Sequence, residues 1–241
     1  MLYFLFCTFF FLGHQYIPDR TGNADRGIGT CKDTVLNFPS VIDGYTLTRI
    51  EESAFEHCNN ITAINIPDSI REIKQFAFKS CGKLQEITVG NGLTVLEPRA
   101  FENCNKLTTT YEDLIYIGNK KNPYLILYGY TVYDTERTEC TIHPQTKVIA
   151  DFAIFGFPNL TEVIIPDSVV SLTSYSLVYL DKLTSVSIPD SVLNIGDKAF
   201  MNCWNLTEID LPDNVKYIGG SAFELCKTLT EINIPNSVTY I

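Results

Sequence analysis

The chain has 241 residues, of which 45% are hydrophobic, and its 28 acidic against 18 basic residues give a formal net charge of −10. A chain this acidic is repelled by phosphate backbones and anionic lipid surfaces, which excludes nucleic acid and such membranes as its main partners. No run of about eighteen apolar residues occurs, so the sequence predicts no membrane-spanning helix.

The N-terminus reads MLYFLFCTFFFLGHQ and is apolar for about twelve residues before it becomes polar. This length is typical of the hydrophobic region of a secretory signal peptide, which is therefore predicted at residues 1–15. No Lys or Arg precedes the apolar run and no pair of small residues follows it, so a buried or artefactual N-terminal segment remains the alternative. Residues 16–37 are interpreted as an N-terminal cap region.

Repeats of 23 residues follow, in eight copies of the form L-x-x-I-x-I-P-x-x-V-x-x-I-x-x-x-A-F-x-x-C. In the copy from residue 206, Ile209 and Leu211 alternate with Glu208 and Asp210, which predicts a half-buried strand. Pro212 cannot donate to a β-ladder and is expected to end that strand.

The second half of each copy predicts a short helical turn. Ala222, Phe223 and Cys226 follow one another at i, i+1 and i+4, the spacing of an apolar face on one turn. A single unit cannot bury its apolar side, whereas stacked copies bury a continuous core. The predicted fold class is therefore a repeat solenoid.

The pattern resembles the leucine-rich repeats of the BspA type, a 23-residue class found in surface antigens of bacteria and parasitic protozoa. The resemblance implies a curved solenoid of parallel β-strands and short helical turns, often displayed at a cell surface. Some relatives adhere to host matrix proteins or to other cells, and the family has no catalytic residues. Leucine-rich repeats 1–3 are assigned to 38–106, and repeats 4–8, the last one truncated, to 137–241.

Residues 107–136 break the register and are interpreted as a tyrosine-rich β-hairpin insertion. Strands are predicted from Leu114 to Ile117 and from Tyr124 to Tyr128, around the polar turn NKKNP. Tyrosine supplies rigid contact area, so the insertion is a candidate ligand-binding surface, with packing of the rings onto the solenoid as the alternative. The candidate residues are Tyr111, Tyr116, Lys120, Lys121, Tyr124, Tyr128, Tyr130 and Tyr133.

A column of glutamates on the outward strand face is the second candidate ligand-binding surface. Neighbouring strands lie about 4.8 Å apart, so the column concentrates negative charge that would receive a basic partner. An exposed face that merely keeps the protein soluble is the alternative. The column comprises Glu86, Glu139, Glu162, Glu208 and Glu231, and Ala63 and Ser185 interrupt it.

Other recurring residues are given structural interpretations. Aspartates follow the strand in several copies and are interpreted as turn formers, since no calcium-loop motif occurs. Cysteines at one repeat position are interpreted as thiols in the core, because Phe157 and Leu180 fill that position in other copies. These cysteines are Cys58, Cys81, Cys104, Cys203 and Cys226. Cys31 is the cysteine expected to be free to pair, with no identifiable partner.

Three N-x-[ST] sequons begin at Asn60, Asn159 and Asn205, each at the last position of a repeat. In a eukaryotic secreted protein they would carry glycans on one edge, but repetition alone also produces them.

No catalytic, metal or cofactor motif is found, and His14, His57 and His143 lie in none. The predicted function is that of a non-catalytic surface or secreted protein that mediates adhesion or binds a protein ligand, with a host matrix or cell-surface protein as the partner class considered. An intracellular interaction scaffold is the alternative. Because the sequence stops at Ile241 within a repeat, either a longer parent chain or self-association through this uncapped end is expected.

Overall fold

The computed structural model describes residues 34–42 and 45–241. The predicted signal peptide at 1–15, nearly all of the cap region at 16–37, and Cys31 lie outside these ranges. The described residues form short β-strands joined by tight turns, and none of them is α-helical.

The strands fall into three groups along the chain. We call 34–106 the N-terminal stack and 137–241 the C-terminal stack, with the insertion 107–136 between them. The N-terminal stack contains β1 (Val35–Asn37), β2 (Val41–Ile42), β3 (Tyr45–Thr46), β4 (Arg49–Ile50), β5 (Ala63–Ile66), β6 (Glu72–Ile73), β7 (Glu86–Val89) and β8 (Val95–Leu96). The insertion contains β9 (Thr108–Tyr111), β10 (Leu114–Ile117) and β11 (Ile126–Tyr130). The C-terminal stack contains β12 (Glu139–Thr141), β13 (Val148–Ile149), β14 (Ile154–Phe155), β15 (Glu162–Ile164), β16 (Ser171–Leu172), β17 (Leu177–Val178), β18 (Ser185–Ser187), β19 (Asn194–Ile195), β20 (Glu208–Asp210) and β21 (Tyr217–Ile218).

Equivalent strands of successive repeats pair in parallel, as the solenoid prediction requires. In β5 and β7, Ala63 lies opposite Glu86, which fixes the register at one repeat length. Ile64 and Ile66 of β5 are buried and alternate with less buried neighbours, because successive side chains of a strand point to opposite faces. The apolar side chains thus form one continuous core that runs through both stacks and the insertion.

The segment predicted as a helical turn is a hydrogen-bonded turn of another kind. In the repeat 61–83, Phe76 and Ser80 both have a φ of 60°, and a right-handed helix cannot continue through such residues. The turns also bond across repeats: the Phe55 N–H donates to the Ala77 carbonyl of the next repeat at 2.7 Å. The apolar spacing predicted which residues are buried. It did not predict the backbone conformation, because a helical turn and the observed turn both satisfy that spacing.

The insertion contains the predicted hairpin and one strand more. β10 pairs antiparallel with β11, and β9 pairs antiparallel with the other edge of β10. The second hairpin strand begins at Ile126 rather than at Tyr124, because the Asn122 side chain accepts a hydrogen bond from the Tyr124 N–H at 3.0 Å and holds it in a turn. β11 also pairs in parallel with β13, so the insertion leads directly into the C-terminal stack.

The two stacks meet along the segment 91–96, which touches three successive repeats of the C-terminal stack. The contacts are hydrogen bonds from Leu96 N–H to Asp151 Oδ1, from Ser174 N–H to Thr94 O and from Asn194 Nδ2 to Asn91 O, at 3.0, 3.1 and 2.9 Å. In a straight solenoid one segment would contact only the adjacent repeat. The solenoid axis therefore changes direction at the insertion, and segment 91–96 runs along the axis of the C-terminal stack.

The cysteines of the repeated turn position are buried, as predicted. Several of them also donate a weak hydrogen bond to the preceding repeat, for example from Cys81 Sγ to the Phe55 carbonyl and from Cys104 Sγ to the Phe78 carbonyl, both at 3.1 Å. Cys58 differs, because it is disulfide-bonded, whereas the other five described cysteines are free. The prediction of a thiol in the core is confirmed for Cys81, Cys104, Cys203 and Cys226 and was wrong for Cys58, since an apolar slot accepts a disulfide as readily as a thiol.

Candidate functional site

The C-terminal stack brings part of the glutamate column together. Glu139 lies directly opposite Glu162 in the β12–β15 ladder, and Ser185 lies opposite Glu208 in the β18–β20 ladder. All three carboxylates are exposed, and so is Glu231 in the following repeat. We call Glu139, Glu162, Glu208 and Glu231 the acidic stripe.

Glu86 is separated from the acidic stripe. It belongs to β7 in the N-terminal stack, on the other side of the insertion. It is half-buried, and its carboxylate lies 3.2 Å from the ammonium of Lys120, at the tip of the hairpin. Lys120 therefore forms an ion pair with the N-terminal stack, whereas Lys121 is exposed.

Two of the candidate tyrosines anchor the insertion. Tyr116 is fully buried, and its hydroxyl accepts a hydrogen bond from the His143 N–H at 3.1 Å. The Tyr128 hydroxyl accepts one from the Phe101 N–H at 2.9 Å. Burial raises the pKa of Tyr116 to about 12 and that of Tyr128 well above its usual value. Both hydroxyls therefore stay neutral and satisfy backbone donors of the adjoining repeats.

The other candidate tyrosines form two groups on either side of the insertion. Tyr111 and Tyr124 surround His143, whose ring stacks on Tyr124 with 3.6 Å between ring centroids. Tyr130 and Tyr133 pack on Phe157, and the Tyr133 hydroxyl donates to the Gly156 carbonyl. Tyr133 is 49% exposed and offers the largest free ring surface of the candidate tyrosines.

The three sequons lie on one edge of the solenoid, where each repeat passes into the next. In the sequons at Asn159 and Asn205 the amide nitrogen donates a hydrogen bond, from Asn159 Nδ2 to Thr135 O at 3.0 Å and from Asn205 Nδ2 to Asp181 O at 2.5 Å. Asn60 is exposed. A glycan at Asn159 or Asn205 would take one of the two amide hydrogens and leave the other for the hydrogen bond between repeats.

A cleft of about 620 Å³ lies between the two stacks. Lys74 and Glu97 line it from the N-terminal stack, and Asp151, Tyr175 and Asp197 line it from the C-terminal stack. The 23-residue pattern did not predict this cleft. One repeat position could have indicated it, because that position holds a charged residue in repeats 1–3 and a small, uncharged residue in later repeats. The charged members are Glu51, Lys74 and Glu97, and the small ones are Ala150, Thr173, Gly196 and Gly219.

Among the described residues, Asp151 is the one buried carboxyl, with 6% of its surface exposed. Its Oδ1 accepts hydrogen bonds from the Leu96 N–H, at 3.0 Å, and from the Thr173 hydroxyl. Burial, reinforced by the nearby Glu97 carboxylate, raises the pKa of Asp151 to about 7. The side chain therefore changes charge near neutral pH. Within the described ranges, no cluster of three or more His, Cys, Asp or Glu is arranged to hold a metal ion.

A family model described as "BspA type Leucine rich repeat region" matches residues 31–120 and 126–241 in six copies. The chain belongs to the BspA-type leucine-rich-repeat family. The match includes both stacks and most of the insertion, so it covers nearly all of the described fold.

Several solved structures are similar to this BspA-type chain. A leucine-rich-repeat protein of T. pallidum is 26% identical, with 83% of this chain and 79% of that chain covered and a TM-score of 0.38. One from Bacteroides ovatus is 27% identical, with 87% and 54% covered and a TM-score of 0.44, so the match spans about half of that protein. A leucine-rich cell surface protein of Faecalibacterium prausnitzii is 20% identical, with 94% and 79% covered and a TM-score of 0.32.

No curated protein matches the BspA-type chain. In the part of the chain that the structure describes, no helix has the length and apolarity needed to cross a membrane.

Proposed function

We propose that this chain is a non-catalytic binding module, exported or displayed at the cell surface, that adheres to a basic protein ligand through the acidic stripe. The observation that carries the proposal is the in-register exposure of Glu139 opposite Glu162, with Glu208 two strands farther along the same face. A rigid row of like charges gives a basic segment several simultaneous contacts at fixed spacing.

Most other glutamates of the described residues have a counter-charge, whereas the members of the acidic stripe have none. Glu97 contacts Lys74 at 2.8 Å and Glu102 contacts Arg99 at 2.7 Å, and Glu86 contacts Lys120. No such ion pair reaches a member of the stripe within the described residues. The charge of the stripe is therefore available to a partner.

The disulfide at Cys58 supports export of the chain. Disulfides persist in oxidising surroundings and are rare in a reducing cytosol. The alternative, an intracellular scaffold using the same face, would require this bond to be reduced in the cell. Protease treatment of intact source cells separates the two: loss of the chain while a cytosolic control survives supports display, and full protection until lysis contradicts it.

The acidic stripe is tested with a variant that removes its charge and keeps its shape. Glu139→Gln, Glu162→Gln and Glu208→Gln are combined, and binding to a decalysine peptide and to immobilised matrix proteins is measured at several salt concentrations. We expect the affinity to fall about tenfold or more at low salt and the difference to shrink as salt screens the charges.

A matched control variant carries Glu52→Gln, Glu112→Gln and Glu136→Gln. These residues are exposed and lie off the stripe, so the net charge changes by the same amount. We expect the control to bind almost as the unaltered protein does. Equal losses in both triple variants would mean that net charge alone, and not the acidic stripe, attracts the partner.

A further inference from the structure

We infer that the cleft between the two stacks binds a guanidinium group, the side chain of an arginine carried by a peptide or protein partner. None of the stripe glutamates lines this cleft, so the site goes beyond the proposed function and stands independently of it. Three features of the cleft carry the inference: a buried carboxyl, an aromatic wall and internally neutralised lysines.

The buried carboxyl of Asp151 lacks a cationic partner. Both of its hydrogen bonds go to Oδ1, and none goes to Oδ2. The side chain lines the cleft although it is 6% exposed. A buried carboxylate with an unused oxygen is costly unless a cation or a donor completes it, so the cleft presents an incomplete ion pair.

The aromatic wall suits a planar cation. The rings of Phe152 and Tyr175 lie parallel, at 4.9 Å between centroids and 11° between planes, beside Asp151 along the cleft. The Lys198 ammonium already lies over the Tyr175 ring, 5.7 Å from its centroid, so this ring accepts a cation and an arriving guanidinium would compete with Lys198 for it. A guanidinium stacks on aromatic faces while its edge donates to a carboxylate, whereas an ammonium is a compact, strongly hydrated charge. The combination favours arginine over lysine.

The two lysines of the cleft are already paired. Lys74 lies 2.8 Å from Glu97 and 3.1 Å from Glu72, and Lys198 lies 3.8 Å from Glu224. Asp197, at the more exposed end, accepts from the Gly220 N–H through one oxygen. The cleft therefore keeps a net negative character, and at about 620 Å³ it has room for an arginine side chain with part of its backbone.

The protonation of Asp151 should control the site. Burial and the Glu97 carboxylate raise its pKa to about 7, while Lys74 acts in the opposite direction. The carboxylate form, which pairs with a cation, is populated above this value and lost below it. Guanidinium binding should therefore be stronger at pH 8 than at pH 5.5, although the ligand keeps its charge throughout.

The test uses the whole chain and three small probes: N-acetyl-arginine amide, N-acetyl-lysine amide and the neutral isostere N-acetyl-citrulline amide. Binding is followed by calorimetry or by NMR shifts at pH 8 and 5.5. We expect the arginine probe to bind most tightly, the citrulline probe to bind at least about tenfold more weakly, and the arginine affinity to fall about tenfold or more at pH 5.5.

Variants then locate the site. Asp151→Asn should abolish the pH dependence and weaken arginine binding at pH 8 about tenfold, and Tyr175→Leu should weaken it while keeping the pH dependence. Asp213→Asn, an exposed turn carboxyl of the same stack, and the stripe triple variant should leave it unchanged. Two results with the unaltered protein would overturn the inference: equal affinity for the arginine and citrulline probes, or an affinity for the arginine probe that does not change with pH. Neither result depends on whether a variant folds.

Discussion

The same repeat position holds half-buried residues in the N-terminal stack and a buried one in the C-terminal stack. Gln75 and Pro98 lie at the rim of the cleft, while Asp151, their equivalent in repeat 4, is buried against Leu96 and Thr173. The difference comes from the neighbouring stack and not from the repeat itself. Burying a carboxyl at this junction raises its pKa and therefore links the stability of the protein to pH.

Asp151 should make the protein less stable as the pH rises from about 4 to about 7. Its ordinary pKa is 3.8 and its folded pKa is about 7, so over this interval the folded state holds a proton that the unfolded state has lost. The free energy of unfolding should fall by up to about 4 kcal/mol and then level off above the folded pKa. Denaturant unfolding at pH 5 and pH 8 measures the change.

Asp151→Asn isolates this contribution from that of the other titrating groups. The amide oxygen can still accept from the Leu96 N–H but does not titrate, so the decrease between pH 5 and 8 should be smaller in the variant. Asp213→Asn should follow the unaltered protein. Parallel stability curves for the unaltered protein and the Asp151 variant would contradict the expectation.

At the level of the elements, the insertion is a structural joint as well as a surface. β11 continues the sheet into β13, and the Tyr116 and Tyr128 hydroxyls satisfy backbone N–H groups of the repeats on either side. The repeat pattern stops at the insertion, so the last repeat of the N-terminal stack and the first repeat of the C-terminal stack have no adjoining repeat to cover them there. The buried tyrosines cover them, while Tyr133 keeps an exposed ring.

Tyr128→Phe should therefore destabilise the protein by about 1–3 kcal/mol, because the Phe101 N–H loses its acceptor at a buried position while the ring packing is kept. Tyr133→Phe is the matched control, since its hydroxyl is in an exposed region, and should cost less than about 0.5 kcal/mol. Chemical denaturation measures both. Equal effects would show that the Tyr128 hydroxyl does not stabilise the joint.

At the scale of the whole molecule, stability depends on a polar junction between two solenoid stacks. Ser171 donates to the Leu93 carbonyl and Asn194 to the Asn91 carbonyl, and both side chains are buried. Repeats otherwise contact only their neighbours, and each stack has strand ladders of its own. Together with the hydrogen bonds from Leu96 N–H to Asp151 and from Ser174 N–H to Thr94 O, the Ser171 and Asn194 contacts couple the unfolding of the two stacks.

Combining Ser171→Ala with Asn194→Ala should separate the unfolding of the two stacks into two transitions. The matched control is Ser191→Ala with Asn214→Ala, which removes one serine and one asparagine hydrogen bond inside the C-terminal stack. The control should lower the midpoint and keep a single transition. Calorimetry distinguishes the two outcomes, and a single transition in the junction variant would refute the proposed coupling.

The sequence by itself determined the repeat length, the parallel stacking and the identity of most core residues. Those properties follow from apolar spacing within 23 residues, so each repeat specifies them locally. Ile64 and Phe78, for example, are fully buried, as their repeat positions predict. The family assignment rests on the same local pattern.

Only the tertiary structure decided the conformation of the turns, which tyrosines are exposed and where the cleft lies. Left-handed residues such as Phe76 replace the predicted helical turn, because bonds to the next repeat compete with bonds inside the turn. The bond between Asp151 and Leu96 spans 55 residues, and that between Asn194 and Asn91 spans 103. No 23-residue pattern encodes such contacts, since they depend on how far the insertion turns one stack against the other.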